Sequence, residues 1–258
     1  MELDLTRLEW SVSRTFDDSW DAVFRLPYLI KDQTAITLFS DSVGENDRAA
    51  ARRNGRIHHR TETYSGFSDA ELSVGWRRKD LLVEDSVFRV SAGITLPFGD
   101  TEANPWVLGD AGLEHLHIQF GNGTVDPVID CYFGLPLAKH WAVSLFTRGR
   151  FPLYENGEGY RGSLEATAIP RLTWLPTPKF SLSAGLSADY FGYSYWSGKR
   201  DENSGQFTLN ATVGAGVKIT DALTASVSAL FPVVTQSFSE EDSLDPAPAF
   251  SVSLGFQF

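Results

Sequence analysis

Fifteen ionisable side chains of this sequence are interleaved with apolar ones: Glu9, Asp21, Arg25, Asp69, Glu71, Arg77, Arg89, Asp126, Asp130, Arg148, Arg150, Glu165, Arg171, Asp189 and Lys218. In an extended chain successive side chains point to opposite faces, so the spacing puts these charges on one side of a sheet and their apolar neighbours on the other. Eight acids and seven bases sharing a face support two kinds of chemistry. Paired, they satisfy one another and fill the space in front of them. Grouped by sign, chiefly as Arg148, Arg150 and Arg171, they make a basic constriction that favours anionic or aromatic solutes, because a guanidinium both forks onto anions and stacks on rings. The residues expected along such a path are Arg25, Glu71, Arg89, Asp130, Arg148, Arg150, Glu165 and Arg171.

Two further stretches carry reactive side chains. In HLHIQFGNG (115 to 123), His115 and His117 lie on one side of an extended segment and could share a metal, but no third ligand is placed near them and no metal site or cofactor is expected. Gly121 and Gly123 allow backbone shapes closed to other residues, so this stretch with Gln119 is expected to fold back as a plug in a mouth. RAAARRNGRIHHR (48 to 60) sets five Arg and two His together without an acid. It is expected to be an exposed loop, suited to phosphates or to the acidic EED at 240 to 242. Hydrolytic chemistry needs a His beside a Ser nucleophile and an oriented third group. Of the five His, four fall in long connections and His140 in a short turn, so no catalytic residue and no enzyme activity are expected.

The elements that must position these residues are strands. QFTLNATVGAGVKIT (206 to 220) alternates without a slip, and LTASVSALFPV (223 to 233) repeats the pattern after a short turn. Upstream, the apolar sets are Trp20 to Tyr28, Ala70 to Trp76, Phe88 to Leu96, Ile129 to Leu135, Trp141 to Leu145, Leu164 to Trp174 and Phe180 to Tyr190, each at every second position. No helical stripe is apparent. These strands are long enough to cross a bilayer, which takes about 9 to 11 residues, and aromatics at 13% of the chain supply the girdles such a sheet carries at both interfaces. Short connections (17–19, 78–85, 137–140, 176–179, 220–221) alternate with long ones (31–66, 98–124, 155–161, 197–205, 235–247), a sorting that a soluble sandwich has no reason to show. Pro27, Pro97, Pro152 and Pro232 each stand where pairing should end or bulge.

The expected fold is therefore a single all-β domain over residues 1–258: a transmembrane antiparallel up-and-down β-barrel of the bacterial outer membrane. Eleven strands are legible from about Leu8 onward. Counting back from the last, the first also descends, whereas such barrels usually hold an even number. A further N-terminal strand, giving twelve, is the expectation. Net charge −11 argues against nucleic acid. One Cys excludes a disulfide framework, no apolar run is long enough for a membrane helix, and MELDLTRLEW lacks the features of a secretory signal, so an exported chain would be a mature or truncated form. The expected partners are outer-membrane lipid and lipopolysaccharide, a small solute, and the barrel-assembly machinery, which would read the terminal SVSLGFQF ending in Phe258.

SGFSDAEL (65 to 72), LPFGD (96 to 100) and HLHIQFGNGTVDP (115 to 127) resemble, in order, short glycine-based motifs of the MetA-like outer-membrane barrels of phenol-degradation pathways. Gly66, Asp69, Gly121, Gly123, Thr124 and Asp126 match the pattern, while Phe67 and Ser68 depart from it. The resemblance implies a twelve-stranded barrel and uptake of small hydrophobic or aromatic compounds. The alternative expectation is a non-conducting structural or partner-binding barrel with a salt-bridge-filled lumen.

Overall fold

A computed structural model describes all residues except 1, 37, 59, 116–118, 240–244 and 258, together with the side chains of 54, 56 and 58. His117, the EED segment and Phe258 thus lie outside the described residues. The strands are β1 (Glu2–Thr15), β2 (Trp20–Thr34), β3 (Glu62–Phe67), β4 (Ala70–Lys79), β5 (Val87–Leu96), β6 (Pro127–Ala138), β7 (Trp141–Arg150), β8 (Tyr160–Arg161), β9 (Glu165–Thr177), β10 (Phe180–Phe191), β11 (Tyr195–Trp196), β12 (Lys199–Arg200), β13 (Gln206–Lys218), β14 (Leu223–Ser237) and β15 (Ala249–Phe256).

The main sheet is an antiparallel meander in the order β1-β2-β4-β5-β6-β7-β9-β10-β13-β14-β15, with β3 also pairing β2. Because β3 and β4 are one span interrupted at Ser68 and Asp69, the sheet crosses eleven times. Among the described residues β1 pairs only with β2 and β15 only with β14, so these eleven do not close on themselves. The sheet is nevertheless strongly curled: Arg148 on β7 ion-pairs with Glu71 on β4, three strands away, a separation of about 14 Å on a flat sheet.

The curl turns the usual polarity inside out. Only seven apolar side chains, Pro27 and Pro105 included, are buried among the described residues, against sixteen polar ones, which excludes the dry centre of a sandwich. The convex face carries the apolar set, with Phe250, Val252, Leu254 and Phe256 on β15 between 66% and 77% exposed. Aromatics gather towards its two ends. Trp20 stands opposite Trp76, and Trp141 stacks on Trp174 at 6.2 Å, both near the short turns. Tyr28 meets Phe67 edge-on at 5.1 Å near the long loops.

Short and long connections sort to opposite rims as expected, with shifted bounds: β2 runs to Thr34 and β3 begins at Glu62, so the first long loop is 35–61 rather than 31–66. The prolines mark the expected irregularities. Pro97 and Pro152 follow strand ends, Pro27 accepts from Ser68 N–H beside the β3/β4 break, and the β13–β14 ladder slips beside Pro232.

One expectation is corrected. Residues 48 to 58 are not an irregular loop but part of α1 (Glu45–His58), and α2 (Pro105–Asp110) adds a second helix. The reason is local: α1 opens with Glu45 and Asp47, which complement the helix dipole, and continues in Ala and Arg, which are strong helix formers. It has no apolar stripe to betray it. In α2 the Asn104 side chain accepts from the N–H groups of Trp106 and Val107 and Pro105 takes the first turn.

Candidate functional site

The ladder registers place all eight expected path residues on the concave face, and seven of them join ion pairs. Nearest the short-turn rim, Arg89 forks onto Asp21, with Nε 2.9 Å from Oδ2 and Nη2 2.5 Å from Oδ1. Gly75, opposite Asp21, leaves the room for that guanidinium, which a Cβ would overlap. One layer up, Glu71 and Asp130 hold two arginines: Arg25 lies 2.9 Å from Glu71 and 4.0 Å from Asp130, and Arg148 pairs with Glu71 and, at 3.3 Å, with Asp130. In the third layer Arg150 is held by Asp126 at 2.7 Å, Asp69 at 3.1 Å and Glu165 at 3.7 Å. Arg171 is the exception. Four residues along β9 from the level of Arg148, it is exposed and makes no ion pair among the described residues, so the three expected arginines do not form one constriction.

These layers carry four arginines and six carboxylates. The excess charge is therefore acidic, not basic as grouping the arginines by sign suggests. Burying such groups is tolerable only because each has partners, since a lone charge removed from water costs several kcal/mol.

The third layer also fastens the second long loop. Asp69 accepts from the backbone N–H of Gly99 at 3.2 Å and of Asn122 at 2.7 Å. Asp126, fully buried, accepts from Thr124 Oγ1 at 2.6 Å and from Asn122 Nδ2 at 2.9 Å. Gly121 packs backbone to backbone on Gly99 and leaves no space for a Cβ beside Asp69. Lys31 donates to the Gln119 carbonyl at 2.5 Å and sits 4.6 Å over the Phe120 ring. Gln119 in turn accepts from Glu102 N–H at 2.9 Å. His115 is buried with Nδ1 2.9 Å from the Leu113 carbonyl, and Gly123 has the positive φ of +66° that the segment needs. The described residues of the loop are thus anchored on the concave wall.

Lys31, Asn122, Thr95 and Gly99 escape the sequence reading. Lys31 falls inside the stretch read as loop, but N-G-T-V-D carries a signal: Asn122, Thr124 and Asp126 alternate like a strand before the strand begins. Thr95 fixes them by donating to the Thr124 carbonyl at 3.2 Å and accepting from Asp126 N–H at 2.9 Å.

The rest of the concave face is different. On β10, β13, β14 and β15 the inward positions are chiefly Ser, Thr and Gly, including Ser183, Ser187, Thr208, Thr212, Gly214, Ser228 and Ser251. Asp189 is its one inward carboxylate. On the charged side itself, level with Arg89, three largely apolar side chains also face inward: Tyr132 opposite Arg89 and Phe146, and Phe146 opposite Ile169.

Outside the spans, β8, β11 and β12 form a small sheet over the long-loop rim, where Tyr160 packs on Trp196 at 4.8 Å and burial pushes its hydroxyl up to about 12. Burial, with the nearby charge of Asp100, likewise raises the Glu102 carboxyl above its ordinary value.

No protein-family model and no curated protein matches the chain. The architecture, however, has a counterpart: the crystal structure of an outer membrane channel from Pseudomonas putida F1 aligns with a TM-score of 0.64 at 16% identity, over 97% of this chain and 81% of that one. Likeness at this identity is a likeness of fold, and it agrees with the inverted polarity of the sheet: the chain has the architecture of a membrane-type β-barrel.

Proposed function

We propose that the protein is an outer-membrane channel for small hydrophobic or aromatic solutes. The observation that carries this reading is the apolar convex face set against a polar concave one, which suits a sheet surrounded by lipid and bordering an aqueous path. The solute class is supported by Tyr132, Phe146 and Ile169 on the lumenal face, by the MetA-like motifs, and by the channel named for the Pseudomonas putida counterpart. Charged layers and anchored loop narrow one side of the path, so passage runs along the Ser/Thr/Gly side. At the long-loop rim, the exposed Arg52 and Arg53 of α1 would face lipopolysaccharide phosphates.

Planar-bilayer recording tests the proposal. Discrete conductance steps from the refolded protein, blocked or slowed by phenolic solutes, are the expected result. The pairing of all the lumenal arginines except Arg77 and Arg171 favours a second reading, a barrel that does not conduct. Absence of steps in both the wild type and the Arg148→Ala, Arg150→Ala double variant would decide for it.

A further inference from the structure

On the neutral side of the lumen, Ser187 stands opposite Asn210 and Asp189 opposite Thr208, with Thr167 across the other ladder from Asp189. The carboxylate accepts from three uncharged donors: Thr167 Oγ1 at 2.8 Å, Ser187 Oγ at 2.8 Å and Asn210 Nδ2 at 3.2 Å. No Lys or Arg lies within ion-pair range of it among the described residues, unlike the carboxylates of the charged layers. The side chain of Asn210 that reaches it belongs to a residue 4% exposed, and among the described residues Asn210 Oδ1 has no donor. Turning the amide over would place that oxygen against the carboxylate, so the acceptor is held free. A buried acceptor left unmatched is costly, and the cost disappears when a donor or cation occupies its lone pairs.

We propose that Asp189, Asn210, Thr208 and Ser187 form a binding site for a small monovalent cation, an alkali ion or a primary ammonium group, on the solute path. The donor set is all oxygen with a single negative charge, which matches one positive charge and falls short of the several carboxylates that divalent sites usually supply. The site lies where the proposed channel runs, and in that respect rests on the channel reading. Occupied, it would give the path a preference for cations.

Two measurements separate the site from the channel. In detergent, the protein should broaden the ²³Na resonance, and methylammonium chloride should reverse the broadening if the ammonium group competes. Asp189→Asn should abolish it, and Asn210→Ala should weaken it. In bilayers under a KCl gradient, Asp189→Asn should lower the cation-to-anion permeability ratio about fivefold, the weight of one unit charge at close range in water. Broadening without conductance would leave the site standing and remove the channel. Wild-type protein that causes no broadening would overturn the site, whatever it conducts, as would broadening that persists in correctly folded Asp189→Asn. Should Asp189→Asn fail to fold, broadening undiminished in Asn210→Ala would overturn it instead.

Discussion

The lumen has two walls built on different principles. From β2 to β9 it is lined by layered Arg–carboxylate pairs that bridge strands as far apart as β4 and β7. From β10 to β15 it is lined by hydroxyls and glycines whose hydrogen bonds stay within adjacent strands, such as Ser228 to Ser251 at 2.7 Å. The charged wall is a connected object: Asp69, Glu71, Asp126 and Asp130 are buried because the half-buried arginines compensate them, so losing one arginine strands its partners. The neutral wall is a sum of small, replaceable contacts between short side chains.

The sharpest way to break this contrast is to delete the same kind of atom group on both sides. Arg150→Ala leaves Asp126 and Asp69 buried without their cation and should cost about 3–5 kcal/mol. On the other wall, Ser228→Ala should stay within about 0.5 kcal/mol. Urea-driven unfolding in detergent, followed by the heat-modifiable gel shift, measures both, and comparable losses would erase the distinction. A smaller effect is expected at Gly121→Ala, where the new methyl meets the Gly99 backbone and Asp69. Overpacking of about 1–3 kcal/mol should lift the 97–126 loop, seen as faster proteolysis within it and larger conductance steps. The smallest effect concerns pH. Burial raises the Glu102 carboxyl above 4.5, so its protonated form favours the docked loop. That contribution is complete below 4.5 and is lost as pH rises through the raised value. Hydrogen exchange around 100–121, corrected for intrinsic rate, should show better protection at pH 4 than at pH 7, and Glu102→Gln should flatten the difference.

The strands were legible because a half-lipid, half-water environment writes a period of two directly into the residues: every inward and outward assignment on β10 and β13 follows from alternation. The pairing was not. Alternation places Arg148 and Glu71 on one face, but only the curl brings them together across three strands, and curl is a property of the whole sheet. Arg171 shows the same limit, since sharing a face with Arg148 says nothing about height along the strand. The helix α1 stayed hidden because its stability comes from composition and charged ends, without an apolar stripe. The fastening of the second long loop was half visible: its glycines announced unusual backbone, while Asp69, which accepts from two of its N–H groups, stands far off in sequence at the break between β3 and β4.

The edges of the sheet carry a last consequence. β1 and β15 run in the same direction, as the first and last of eleven antiparallel crossings must. Their outer backbone donors and acceptors therefore cannot zip to each other in the pattern used everywhere else. In hydrocarbon each such unmatched group costs several kcal/mol, so the order of events is constrained: the seam must be satisfied before, or together with, entry into the bilayer, and never afterwards.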